Sequence, residues 1–270
     1  MIDMNPAGSS EATAPVPARR TESGRVALVT GAARGIGRAT ALALLERGHR
    51  VMLADVSRID VSALPATVRG RAVAMQFDVT DHEKVKDVVA ETSAALGDVA
   101  ILVNNAGLSM KDGEGRSRGV LSVNDEEWQR MHAVNVTSIL KLCQAVLPGM
   151  QRRKWGRIVN VSSLAGRTKS LVAGPTYMAN KSAVLGLTRA IATEMGPWGI
   201  TANCVAPGRI LTEMALQAGQ AVNAAYASQI PVRRLGTPEE VAHAIAFFTD
   251  EEAGFVSGAV IDVNGGFFMA

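Results

Sequence analysis

From Arg25 onward, short runs of apolar residues alternate with longer stretches whose apolar positions recur at helical spacing. The runs are VALVT (26–30), RVMLAD (50–55), RAVAMQFDV (71–79), VAILVNNAG (99–107), RIVNVSS (157–163), TANCVAPG (201–208) and AVIDVNGG (259–266). They are rich in Val and Ile and lack polar alternation, which predicts strands buried on both faces. Between them, GRATALALLERG (37–48) predicts a helix stopped at Gly48, and further helices are expected over 82–96, 125–153 and 175–195. Repeated strand–helix alternation predicts βαβ units with right-handed crossovers, and so an α/β fold with a parallel sheet covered by helices on both faces. No break in composition divides residues 25–270, which are read as a single domain.

Composition fits that picture. The chain has 270 residues, 47% of them hydrophobic, enough for a sizeable core. The net charge is +3 with no Lys/Arg block, so nothing points to nucleic acid. Residues 1–24 are rich in Ala, Pro, Ser and Gly and are expected to be a disordered N-terminal tail. No apolar run approaches the roughly 18 residues of a membrane span, and no membrane partner is expected. Cys143 and Cys204 lack metal or redox spacing and are expected to be buried thiols in a cytoplasmic, reducing setting. His49, His82, His132 and His243 are scattered without ligand spacing, so no metal is expected.

Chemistry first shows itself at VALVTGAARGIGRAT. Gly31, Gly35 and Gly37 lie between the first strand and the first helix, in the pattern T-G-x-x-x-G-x-G. Glycines allow a tight turn and close backbone approach, and the helix that follows aims free N–H groups and its positive dipole end at a diphosphate. A dinucleotide site also wants an acid at the end of the second strand, about 20 residues on. Asp55 stands there. Its carboxylate can accept from ribose hydroxyls and repels a 2′-phosphate, which favours NAD. Arg34 argues the other way, because a basic residue in the turn can pair with that phosphate, so NADP stays open.

These features, with several more in order, make the chain resemble the short-chain dehydrogenase/reductase family. The resemblance runs from about Arg25 to Gly266 and rests on TGAARGIG (30–37), DV (78–79), NNAG (104–107), Asn135 in HAVNVTS, Ser163 in VNVSSLAG, YMANK (177–181) and APGRILT (206–212). It implies a doubly wound Rossmann fold with a seven-stranded parallel sheet. It implies cofactor contacts from Gly31, Arg34, Gly35, Ile36 and Gly37, from Asp55, Asp78 and Val79 on the adenine side, and from Asn105, Ala106 and Gly107 in the cleft. Pro207, Gly208, Ile210 and Thr212 would cover the nicotinamide end, opening a substrate lid over about 209–235. Asn135, Ser163, Tyr177 and Lys181 would be the catalytic set, with Ser163 and Tyr177 touching substrate. Asn135 would hold a water linking Lys181 to solvent, and Lys181 would also bind the nicotinamide ribose. A homotetramer (or homodimer) is implied, with the apolar GGFFMA end buried at a subunit interface. One departure is visible: Ser163 precedes Tyr177 by fourteen residues where thirteen is frequent, and Ser162 is the reserve candidate.

The Tyr–Lys spacing has its own physical logic. Residues four apart lie on one helix face. A phenol titrates near 10, too high for a base at neutral pH. An ammonium about 4 Å away, at an effective dielectric near 20, attracts the phenolate by about 4 kcal/mol, up to roughly three pKa units before desolvation is subtracted. That moves Tyr177 toward the range of a general acid–base, with Ser163 polarising a carbonyl. The expected activity is NAD(P)-dependent interconversion of a small-molecule secondary alcohol (polyol, sugar or hydroxy compound) and its ketone. The alternatives are a 3-oxoacyl-thioester reductase using NADPH and a non-catalytic dinucleotide-binding regulator. No G-x-S-x-G elbow supports a serine hydrolase. Segments 108–120 and 164–174 are expected to wall the substrate pocket. Arg167, Lys169 and Arg209 could favour an anionic or thioester substrate or be solvated surface.

Overall fold

The computed structural model describes residues 24–170, 172–216 and 219–269; the expected tail lies, but for Gly24, outside them. Seven parallel strands form one sheet: β1 (Val26–Thr30), β2 (Arg50–Asp55), β3 (Ala72–Gln76), β4 (Val99–Asn104), β5 (Gly156–Val161), β6 (Ile200–Pro207) and β7 (Val260–Val263). Their order is β3-β2-β1-β4-β5-β6-β7. The chain winds outward from β1 to β3, then returns to β4 on the other side of β1. The crossovers diverge there, and a crevice opens beyond the strands' carboxyl ends.

The missing polar alternation follows from packing. Along β1, Val26 and Leu28 enter one core with Met52, Leu102, Leu142, Met150 and Ile158. Ala27 and Val29 enter the other with Leu53, Ile101, Leu44, Leu45 and Ile245. Several polar side chains in the interior are linked to one another. Asn104 donates to Asn160 at 2.8 Å, Asn160 donates to Thr188 at 2.8 Å, and Thr188 meets the Cys204 thiol at 3.0 Å. This chain of contacts ties β4 and β5 to β6 and to the helix behind them, one residue below the crevice. Cys143 and Cys204 are buried free thiols, as their apolar neighbours suggest.

Helices α1 (Gly35–Glu46), α2 (Ala66–Arg69), α3 (Val85–Leu96), α4 (Asp125–His132), α5 (Ser138–Arg153) and α6 (Pro175–Met195) cover the sheet together with the helices that follow β6. The span read as one helix over 125–153 is continuous but is interrupted by a π-helical turn at Ala133–Thr137. Asn124 caps its start by accepting from Glu127 N at 2.9 Å, and left-handed Lys154 ends it. By length and mean hydropathy (1.2) this span would pass as a membrane helix. Here its apolar stripe, including Ile139, Leu142, Val146 and Met150, packs into the sheet core instead. The third strand stops at Gln76, short of the expected Val79. The Asp78 carboxylate accepts from Thr80 N and Oγ1, turning the chain off the sheet edge.

Three helices between β6 and β7 are additional to the sequence reading: α7 (Glu213–Leu216), α8 (Gln220–Ala227) and α9 (Pro238–Phe247). The last was legible. Thr237 accepts from Glu240 N while Glu240 accepts from Thr237 N, a capping box with Pro238 at the first helical position.

Candidate active site

The crevice is built where β1 and β4 end. Thr30 Oγ1 accepts from Asn105 N (3.1 Å) and Ala106 N (3.2 Å). Asn105 Nδ2 donates back to the carbonyls of Thr30 (2.9 Å) and Gly31 (3.0 Å). The two loops are thereby locked together. Thr30 is a positioning residue that the sequence reading quoted within a motif but did not single out.

The glycine turn has little tolerance. Gly31 (φ 65°) and Gly35 (φ 54°) occupy the left-handed region. A Cβ on Gly37 would fall 2.0 Å from Gly31 O and 2.5 Å from Asn105 Nδ2. Gly37→Ala is therefore expected to cost about 3 kcal/mol through forced backbone movement, read as a lowered Tm in thermal denaturation. An unchanged Tm would show that the turn can shift freely.

The turn runs into α1. Its first residue has no side-chain cap, and its first turn carries no acid, so the N–H groups of Gly35, Ile36 and Gly37 stay available to an anion. Asp55, at the tip of β2, accepts from Ala33 N (3.0 Å) and Ser57 N (2.8 Å) and so faces the turn. Phe77 N donates to Asp55 O at 2.7 Å, placing exposed Asp78 and buried Val79 on the same side. Arg34 is paired with Glu213 of α7 at 2.7 Å, and Thr212 lies against Gly35. The lid's first residues thus cross the glycine turn, a contact no spacing rule could anticipate. On the other side, Gly208 N donates to Val263 O, and Ile210 is buried.

Tyr177 and Lys181 stand one turn apart on α6, with the Lys181 ammonium 5.7 Å from the centre of the Tyr177 ring. Lys181 is 3% exposed and donates to Val161 O at 2.8 Å. Ser162 is buried and donates to Lys181 O at 2.7 Å, so its hydroxyl fastens α6 to β5. Ser163 is half-buried beside Tyr177, and its hydroxyl accepts from Ala165 N at 3.1 Å. Asn135 sits inside the π-helical turn with both amide atoms bonded to the Leu108 backbone, each at 2.8 Å. A Cβ on Gly107 would lie 3.3 Å from Asn135 Oδ1 and 3.4 Å from Lys181 Nζ. The side chains of Ser163, Tyr177, Lys181 and Asn135 therefore converge at the carboxyl ends of β4 and β5.

The electrostatics differ from the simple Coulomb expectation. Burial pushes the Tyr177 phenol above its ordinary value, while the Ser163 hydroxyl acts against that rise. Burial also pulls Lys181 down to about 8, with the Cys204 sulfur acting the other way. Desolvation of the phenol sets the direction, and the Lys181 ammonium is directed at the Val161 carbonyl. Two segments singled out in the sequence also find partners within the chain. Arg167 is held bidentate by Asp262, at 3.2 and 2.8 Å, and is no free cation. Phe267 stacks on Tyr226 at 5.1 Å within the chain, Arg167 lies over Phe268, and Met269 is exposed. Among the described residues no cluster of metal-ligating side chains occurs.

A dinucleotide-type turn and a Tyr–Lys–Ser cluster on one parallel sheet define a class of nucleotide-dependent oxidoreductases, and comparison with known proteins makes it specific. A family model described as enoyl-(acyl carrier protein) reductase matches residues 31–268. The chain belongs to the short-chain dehydrogenase/reductase family. It is 39% identical over 246 residues to the 3-oxoacyl-[acyl-carrier-protein] reductase FabG of Vibrio cholerae, covering 91% of this chain and 98% of that one. The NAD-bound 3-oxoacyl-[acyl-carrier protein] reductase of Brucella melitensis is 38% identical, with a TM-score of 0.84 over 96% and 98% of the two chains. NADP-bound ElxO is 30% identical, with a TM-score of 0.82 over 90% and 98%. These likenesses favour the thioester-reductase alternative over the polyol or sugar dehydrogenase first expected.

Proposed function

We propose that the chain reduces the ketone of a 3-oxoacyl thioester to the 3-hydroxyacyl thioester. The observation that carries this reading is the convergence of Ser163, Tyr177 and Lys181 beside the glycine turn, in a chain resembling 3-oxoacyl reductases along nearly its whole length. The uncapped helix start and the Gly37 contact fit a dinucleotide diphosphate. Gly31, Arg34, Gly35, Ile36, Gly37, Asp55, Asp78, Val79, Asn105, Ala106, Gly107, Pro207, Gly208, Ile210 and Thr212 would hold the cofactor, which supplies the hydride when bound. Ser163 donates to the ketone oxygen. Tyr177 delivers a proton to the same oxygen as the carbon gains its hydride, so the C=O double bond becomes CH–OH. Lys181 binds the nicotinamide ribose and biases the phenol toward releasing its proton. Asn135 acts through position, fixing the backbone after Gly107.

The test is a substrate panel with both reduced nucleotides. Acetoacetyl-CoA should be reduced at a kcat/KM at least about a hundredfold above that for polyols or sugars run in the oxidative direction. The reverse ranking would restore the alcohol-dehydrogenase reading. No turnover of any ketone, with dinucleotide still bound, would favour the regulator.

Asp55 supports NAD as the preferred nucleotide, and Arg34, engaged by Glu213, is drawn away from a 2′-phosphate. Asp55→Asn should raise the NADP/NAD ratio of kcat/KM by about tenfold, through lost repulsion. An unaltered ratio would show that selection lies elsewhere. The same reading places the protein in the cytoplasm, where Cys143 and Cys204 stay reduced. It also makes a homotetramer the expected assembly. Phe255 (104%) and Met269 (81%) are fully or largely exposed in the single chain and need cover. Light scattering should report four chains; a clean monomer would contradict this.

A further inference from the structure

The cations around the substrate cleft are not alike. Arg118 faces the Glu127 carboxylate at 3.2 Å, Arg167 faces Asp262, and Arg34 faces Glu213. Lys111 and Arg209 form no ion pair among the described residues. Lys111 comes four residues after Gly107, from the loop that leaves β4; Arg209 comes two residues after Pro207, from the loop that leaves β6. Strand β5, whose end carries Ser163, lies between those two strands. The loops that carry the two cations therefore lie on either side of the strand end that carries Ser163.

Both are held in place by neutral partners. Lys111 Nζ donates to Ser117 Oγ (2.9 Å) and Val172 O (3.0 Å). Ser117 Oγ donates to the same Val172 carbonyl at 3.0 Å. Residues 111–118 are thus stitched to the loop that follows Ser163, and both walls of the cleft become one rim. Arg209 donates through Nε and Nη2 to Asn223 Oδ1 (3.1 and 2.9 Å) and through Nη2 to Ala215 O (3.3 Å). The guanidinium lies 5.7 Å from the centre of the Tyr226 ring. These bonds order the side chains without neutralising them. The Arg209 charge is felt at Lys111. Lys111 is drawn below its ordinary value first by burial and then by the Arg209 guanidinium. The neighbouring Asp112 carboxylate acts the other way with a smaller effect, and an anion placed between the two cations would relieve the rest.

We infer that Lys111 and Arg209 form an anion subsite at the mouth of the substrate cleft, holding a carboxylate or phosphate that the substrate carries away from its ketone. The inference rests on the reading of Ser163 and Tyr177 as the ketone's partners. It narrows the substrate class. A free 3-oxo acid would offer a carboxylate; a phosphopantetheine-type thioester would offer a phosphate.

The experiment compares three ketones sharing an acetoacetyl group: acetoacetate, acetoacetyl-CoA and the neutral ethyl acetoacetate. The variants are Lys111→Gln, which can still donate to Val172 O, and the charge-retaining Lys111→Arg. In Lys111→Gln the kcat/KM of an anionic ketone, divided by that of ethyl acetoacetate, should fall about tenfold, and Lys111→Arg should restore most of it. The ketone whose ratio falls identifies the source of the anion. Calorimetric titration of acetoacetate and of CoA into protein saturated with oxidised dinucleotide reads the subsite without turnover. Wild type should bind one of them about tenfold more tightly than Lys111→Gln does. Equal ratios and equal affinities in wild type and Lys111→Gln would overturn the subsite. Charge-dependent binding without turnover of any ketone would keep the subsite and refute the reductase reading.

Discussion

Tyr177→Phe removes nearly all ketone reduction, lowering kcat by about 10³ or more, while dinucleotide affinity measured by fluorescence titration stays within about twofold. The substitution deletes one oxygen and keeps the ring, so α6 should remain seated. Its size follows from what the oxygen does. Reduction leaves negative charge on the former carbonyl oxygen, and in the proposed reading Tyr177 is the group that gives it a proton. Burial raises the phenol, so at neutral pH it carries the proton that reduction needs. The reverse oxidation needs the phenolate and should rise with pH. Residual reduction within tenfold of wild type would remove Tyr177 from the mechanism.

Lys181→Met should lower kcat/KM by about 10² to 10³, yet raise thermal stability near neutral pH. Burial depresses this amine from 10.5 to about 8, so the folded chain gives up its proton more readily than the unfolded chain. Between pH 8 and 10.5 the unfolded state holds more protons, and wild-type stability rises with pH across that window. Below pH 8 the full cost of charging a buried amine is present. Two and a half pKa units correspond to about 3 kcal/mol, and the lost bond to Val161 O returns about 1 kcal/mol of that. A net gain of about 2 kcal/mol should lift Tm by about 5 °C at pH 7, and above pH 10.5, where the charging cost is gone, the sign should reverse to a loss of about 1 kcal/mol from the missing bond. Reduction by wild type should also weaken above pH 8 as the ammonium is lost. A Tm that falls at every pH would show that Lys181 supports the fold rather than burdening it.

Much of this was written locally. Strand β2 spans Arg50–Asp55 and helix α6 spans Pro175–Met195, as the apolar runs and Pro175 predict. Such elements depend on periodicity and on caps a few residues away, so they can be read from the chain alone. The capping box at Thr237 was equally local, and α9 could have been found by it. Strand ends were harder. The third stops at Gln76 because the Asp78 carboxylate accepts from Thr80 and turns the chain, and the fourth stops at Asn104 because Asn105 reaches across to Thr30 and Gly31.

The order of motifs along this chain determined the parallel sheet, the glycine turn with Asp55 after it, and a Tyr177–Lys181 pair on one helix face. Those features rest on spacing of 2, 3.6 or 20 residues, within reach of the backbone's own geometry. Tertiary structure alone decided which serine faces the cleft and which fastens the helix. It also decided that Arg34 meets Glu213 and Arg167 meets Asp262 while Lys111 and Arg209 form no ion pair among the described residues. It reversed the direction in which Tyr177 titrates. Each of these depends on burial and on partners up to 179 residues distant, and desolvation is a property of the enclosed volume, which no local pattern records.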